Sequence, residues 1–406
     1  MMRLYTFPYK KHVKNTIFFC FIFISLFIFV FTLNHLSIKT VKADSLKDGQ
    51  AELNNVIEEQ IDHLDLSALQ EYVDSIGNFS SDSVADRLLK YIKAGAFDYE
   101  GIGRQMGTVL FAKVVEILPA FACIAAITLL SGLIATMGSG SNAYTSTETI
   151  FLITYVAALI PLLAVLMECF QQSMDCISSM QKQMQIVFPL MLTLMAASGG
   201  TISAAVCRPA VGFFATNIVT VIRSVVFPIT ITIIVFSMAA NLTKELKMNR
   251  FSAFFKSINK WIIGVCISAF GIFFTLQGIT AANYDGIVRR TAKYAIGNGI
   301  PIVGGFLSGG FDLAVAGSVL IKNSLGTMSI FLMLTVIFEP LVLLISVNLL
   351  LRLTAALSQP FGDGRISDFL EETAGNLHYC TAGLLFTAFL YFLCIMLMVC
   401  ASEALF

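Results

Sequence analysis

Apolar residues gather in long continuous runs at 112–136, 149–170, 184–207, 210–240, 261–282, 298–321, 325–357 and 380–405, with most charges pushed into the gaps. Each run reaches or exceeds the about 20 apolar residues that a helix needs to cross a bilayer. The runs are continuous and do not alternate, so they predict helices and not barrel strands. Hydrocarbon offers the backbone no hydrogen-bond partner, which leaves the helix as the element that satisfies itself. The predicted fold is all-α: a polytopic helical membrane domain over 112–406.

The first 111 residues carry two other patterns. Lys10, Lys11 and Lys14 precede the apolar run Ile17–Leu33, and Val41-Lys42-Ala43 offers small residues where a signal peptidase reads. Residues 1–43 therefore read as a signal peptide, with an uncleaved anchor as the alternative, and residue 44 onward is expected outside the cytoplasm. Residues 44–111 read as short amphipathic helices. Leu53, Ile57, Ile61 and Leu64 form one stripe, Leu66, Leu69, Val73 and Ile76 a second, and Val84, Leu88 and Ile92 a third. Ser81-Asp82-Ser83 supplies an N-cap before the third, and Asp98 one for the helix entering the membrane. This segment predicts a small solvated helical cap or a docking surface for another extracytoplasmic protein.

Two membrane runs are too long for a simple span, 210–240 and 325–357, and each has a proline near its middle, Pro228 and Pro340. Two others are rich in small residues and contain Ser198-Gly199-Gly200 and Ser308-Gly309-Gly310. Such segments suit close helix packing or re-entrant hairpins. Pro189 and Pro301 are 112 residues apart, as are Pro228 and Pro340; the triplets are 110 apart. The spacing predicts an internal repeat, 149–260 and 261–372, with proline-broken helices in each half. Interrupted segments at matched places point to a substrate path at the repeat interface. The candidate lining and gate residues are Ser198, Gly199, Gly200, Asn217, Asn298, Pro301, Gly309 and Gly310.

Charge gives two competing signals for the orientation, and the stronger is taken. Lys244, Lys247, Arg250, Lys256 and Lys260 against Glu245 predict a cytoplasmic 241–260 loop. With an outside amino terminus, one preceding run must then re-enter, and 184–207 is the best candidate; 298–321 follows by analogy, leaving about six spans. The connector 283–295, with Arg289, Arg290 and Lys293, pulls the other way. Arg223 and Glu339 lie inside the two long runs, where an ionisable side chain is a functional candidate, and their opposite signs allow them to pair. Glu168 and Arg352 sit near run ends and are expected to reach the interface.

Composition then removes whole classes. The chain is 57% hydrophobic and formally neutral, but residues 44–111 hold 13 of the 26 acidic residues and only 5 basic ones. No basic field suits nucleic acid. Cys169 and Cys176 lack the second pair or histidine that a zinc site needs. Pro360 replaces the first glycine of a Gly-x-Gly-Asp protease motif before Asp363, and Asn376 stands where a Glu371-Glu372 metalloprotease motif needs arginine. No nucleotide cradle is present. Neither catalysis nor a cofactor or metal is expected.

Several polar strings between the runs are specific: Leu194–Ala205 (LMAASGGTISAA), Gln277–Ala282 (QGITAA), Asp285–Lys293 (DGIVRRTAK), Gly297–Gly304 (GNGIPIVG) and Ser318–Asn323 (SVLIKN). With the leader, the small helical segment and the order of runs, they resemble the stage III sporulation protein AE family of endospore-forming bacteria. The resemblance implies a mother-cell membrane component of the complex joining mother cell and forespore, an export-gate-like subunit needed for late forespore development. It implies as partners the other stage III sporulation proteins and stage II sporulation protein Q, with the acidic segment between the two membranes. A self-sufficient secondary transporter, for which the repeat argues, and a non-conducting membrane scaffold are the alternatives.

Overall fold

The computed structural model describes residues 47–76, 83–94, 99–137, 143–242, 249–280, 304–360 and 364–400, and all elements among them are helical. Three short helices, α1 (Lys47–Asp62), α2 (Ser67–Ile76) and α3 (Val84–Ala94), precede α4 (Tyr99–Met137) and α5 (Ala143–Ala197). Helix α6 (Thr201–Phe213) continues through two π-helical turns, Phe214–Ile218 and Ile222–Val226, into α7 (Phe227–Leu242). Then come α8 (Asn249–Thr280), α9 (Gly304–Ser358) and α10 (Gly364–Cys400). Six stretches are long and apolar enough to cross a membrane, and the protein is a multi-pass membrane protein: 111–130, 149–197, 201–242, 250–273, 312–358 and 364–400. The leader 1–43, Asp98 and the connector 283–295 lie outside the described residues.

Cross-helix contacts set the directions. Gln183 Nε2 donates to Ser329 O (2.9 Å) and Cys176 Sγ to Val336 O (3.5 Å), so α5 and α9 are antiparallel. Lys322 Nζ donates to Val399 O (2.7 Å) while Ser367 Oγ donates to Ala355 O (2.9 Å), so α10 returns along α9. Phe170 meets Phe227, and Tyr155 OH donates to Met238 O (2.8 Å), so α6–α7 descends along α5. One end of the bundle, here the inner end, gathers the helix ends Met137, Ala143, Leu242, Asn249, Ser358 and Gly364; the outer end holds Ala197–Thr201, Gly304 and Cys400. Helix α10 is the central post, packed by α9, α7, α5 and α8, with Leu384, Leu390, Tyr391 and Ile395 fully enclosed.

Helices α5 and α9 each have 55 residues, about 82 Å of rod at 1.5 Å per residue. The gap at 171–183, expected to separate two elements, is part of α5. Two inward polar side chains find acceptors, Ser173 Oγ at Cys169 O (2.7 Å) and Gln183 Nε2 on α9, while the side-chain oxygens of Gln172 and Gln183 are buried without a partner. The segment expected to re-enter, 184–207, is the tip of a helical hairpin whose legs are α5 and α6. Residues 304–321 are an unbroken part of α9.

The two long proline-containing runs also differ from expectation, because neither is broken. Proline 228 has no N–H and its ring crowds the carbonyl four residues back. The helix answers with a π-turn just before it, in which Phe227 N–H bonds Ile222 O. Pro340 lies inside α9 with no interruption. The Ser-Gly-Gly triplets diverge in the same way: Ser198–Gly200 is a turn, whereas Ser308–Gly310 lies within α9. The matched sequence features therefore do not have matched backbones.

The amphipathic stripes of the acidic segment face the bundle. Ile57, Ile61, Leu69, Val73, Val84 and Leu88 are buried. Ser83 caps α3 through the Asp86 N–H (3.1 Å), and its hydroxyl donates to the Asp86 carboxylate (2.7 Å). Asp65 accepts from the Ser67 N–H (3.2 Å) and hydroxyl (2.5 Å) at the start of α2, and these bonds hold its carboxyl below the usual range. Gln60 Nε2 donates to Ala314 O (3.0 Å), and Tyr72 OH to Ser179 O (3.2 Å). The segment is thus docked along the outer parts of α9 and α5.

Candidate functional site

The Ser198–Gly200 turn is the best-defined candidate. Gly200 N–H bonds Met195 O (2.9 Å) and Gly199 N–H bonds Ala196 O (3.1 Å), the paired bonds of a Schellman cap. Gly199 has φ 93°, a left-handed conformation that a side chain resists. Gly200 O then accepts from Ala204 N–H (2.8 Å) and starts α6. Ser198 is buried, and its hydroxyl donates to Met195 O (2.8 Å). Beside this turn, α5 and α6 enclose an open groove of about 590 Å³, lined by Phe188, Leu192, Thr193, Ala204, Ala205 and Arg208 among others.

The exposed face of α6 carries Thr201, Ala205, Arg208 and Gly212, and the helical turns that follow continue it with Thr216 and Thr220. Asn217 and Arg223 are exposed beside it, Asn217 in the first π-turn and Arg223 in the second. A π-turn disturbs the regular ladder, and here the Thr216 carbonyl accepts from the Thr220 hydroxyl (2.5 Å) and from Gln181 Nε2 (3.4 Å). Ser198, Gly199, Gly200 and Asn217 thus share one hairpin. Gly309 and Gly310 are helical residues of α9, and Asn298 and Pro301 lie outside the described residues.

Glu339 does not face Arg223. Its carboxylate lies 3.2 Å from Lys113 Nζ on α4, which also meets Glu116 (3.1 Å) and Glu168 (3.8 Å). Three helices are thereby clasped at one level. Lys113 was hidden because it stands at the very edge of an apolar run; its signal was a lysine one turn before Glu116, with the run-end Glu168 and the mid-run Glu339 as carboxylates in need of a cation. A second network lies nearer the inner end. Glu372 of α10 accepts from Lys256 Nζ (2.6 Å) on α8 and from Ser237 Oγ (2.6 Å) on α7. Arg352 Nε donates to Asn348 Oδ1 (3.0 Å), and Arg352 Nη2 is 3.2 Å from His378 Nε2. These groups tie helices together; none is arranged as a nucleophile with its base.

The family profile described as stage III sporulation protein AE matches residues 83–402. The chain belongs to that family. Stage III sporulation protein AE of Bacillus subtilis (strain 168) is 26% identical over 259 residues, covering 64% of this chain and 65% of the relative. The chain therefore spans just under two thirds of that relative's length. No solved structure matches the chain. Family membership places the chain among sporulation proteins.

Proposed function

We propose that this protein is the large multi-pass subunit of an envelope complex joining mother cell and forespore, acting in the mother-cell membrane as an export-gate-like component for late forespore development. The observation that carries this reading is the family match over residues 83–402. Its partners on this reading are the other stage III sporulation proteins and stage II sporulation protein Q. The acidic helices α1–α3 face the space between the membranes. The basic residues at the opposite end of the bundle, Arg250 and Lys256 on α8 and Arg365 at the start of α10, support that orientation by the positive-inside tendency. The groove beside Ser198–Gly200, with Asn217 on the adjoining face, is the proposed wall of the conducted path or of its partner contact. The transporter alternative drew on matched halves, and the unlike backbones of the two triplets weaken it.

The test is complementation in a sporulating host lacking its own copy, read by a late forespore reporter. Gly199→Leu is expected to abolish the signal while membrane levels stay unchanged. Normal sporulation of that variant would remove the hairpin from the reading. A solute flux by the purified chain alone in vesicles, independent of partner subunits, would favour the transporter.

A further inference from the structure

The helices are too long for one bilayer, and their surfaces say which part meets it. Among the described residues of α5 the exposed large apolar side chains all lie between Leu152 and Met167. On α9 they are Ile345, Leu349, Leu353 and Leu357, with Leu320 the one exception among the described residues. On α4 they are Val115, Leu118, Leu130, Leu133 and Ile134, with Phe111, one half-turn outward of Lys113, the exception among the described residues. These stretches lie at one level of the antiparallel bundle, inward of the Lys113, Glu116, Glu168 and Glu339 clasp. From Glu168 back to Thr149, and from Glu339 on to Ser358, is 19 residues, about 29 Å of helix, which is the thickness of the hydrocarbon core.

Outward of the clasp the surface changes character while the helices continue. The exposed positions of α5 become Gln171, Asp175, Lys182, Gln185, Pro189 and Thr193. Those of α6 and its π-turns are the small and polar residues described above, with Phe213 the large apolar exception among the described residues. At the same level α2 docks through Tyr72 on Ser179, and further out α1 docks through Gln60 on Ala314. The outer faces of these helices expose Glu52, Glu58, Glu59, Asp62, Glu71 and Asp74. Carboxylates in such number on a lateral surface require water there.

We propose that the bilayer covers only the inner part of the bundle, up to the Lys113–Glu339 clasp. The same helices then stand about 40 Å beyond it as a water-exposed projection, braced by α1–α3 and tipped by the Ser198–Gly200 turn. The clasp is the outer rim. Arg250, Arg352 and Arg365 lie toward the inner rim, and Lys260, higher on α8, reaches it by its long stem. Arg208, Arg223 and Asn217 then face water and not lipid. This placement does not depend on the proposed role.

The chain has a single tryptophan, Trp261, exposed on α8 within the lipid level. Its emission in the full-length protein, reconstituted in phosphatidylcholine–phosphatidylglycerol vesicles, should fall strongly when the acyl chains are brominated. In a Trp261→Phe background, Ile160→Trp should behave alike. Lys182→Trp, fourteen residues outward of Glu168 on the same helix, should keep its emission in brominated lipid and lose it to aqueous iodide. Both sites are exposed, so neither substitution disturbs the interior. Brominated-lipid quenching at 182 comparable to that at 160 overturns the placement, and so does the absence of lipid quenching at 160.

Discussion

The arm formed by α5, α6 and α7 and the arm formed by α9 carry the same punctuation, a Ser-Gly-Gly triplet followed by a proline, yet they handle it in opposite ways. In the first arm the triplet stops one helix and starts another, and the π-turns widen the chain before Pro228. In the second arm α9 runs through Ser308–Gly310 and Pro340 without a break. The difference teaches that a glycine pair permits a turn without dictating one. The choice is made by neighbours, and both arms are held against the same post. Gly326 of α9 seats Val399 of α10, and Gly383 of α10 seats Ile222, the first residue of the second π-turn, and Phe227, the residue after its last.

The comparison breaks most severely at those seats. A Cβ on Gly326 would stand 2.7 Å from Val399 Cγ2, and one on Gly383 would stand 3.1 Å from Ile222 Cγ2. Gly326→Leu should cost about 3 kcal/mol or more, and Gly383→Leu somewhat less, measured as a fall in thermal midpoint in detergent. Parent-like melting of both would mean that α10 does not order the arms. Next come the triplets themselves. Gly199→Ala should destabilise by about 1–2 kcal/mol because its backbone is left-handed. Gly309→Ala, on helical backbone, should be stabilising by about 0.5–1 kcal/mol; equal signs would erase the contrast. Pro228→Ala should restore a donor for the Ser224 carbonyl and slow hydrogen exchange in the second π-turn, whereas unchanged exchange would give the π-turn another cause. The smallest effect belongs to Gln181→Ala, which removes the weak bonds to Thr216 O and the Thr220 hydroxyl and should cost under about 1 kcal/mol.

The spans were legible because hydropathy reports lipid contact and burial alike, and the six candidate crossings overlap the expected runs, with 149–170, 210–240 and 325–357 falling wholly inside them. The amphipathic stripes of α1–α3 were equally plain, since Ile57, Ile61, Leu69 and Leu88 recur at helical spacing on one buried side. What stayed hidden was continuity. A polar stretch such as 171–183 looks like a connector when read alone, but Gln171, Asp175 and Lys182 form an outward stripe on an unbroken helix. Partner choice was hidden for a related reason. The pairing of Arg223 with Glu339 followed from repeat symmetry, whereas Glu339 meets Lys113 because α4 lies beside α9. Glu372 was weighed only as part of a protease motif, and its bonds to Lys256 and Ser237 depend on two helices distant in sequence.

Stiff rods that outlast the membrane have a mechanical consequence. A 55-residue helix pivoting by about 5° at one end carries its far end through about 7 Å. Slight rocking of α5 at the inner end would therefore arrive at the Ser198–Gly200 apex as a displacement wider than a helical turn is tall.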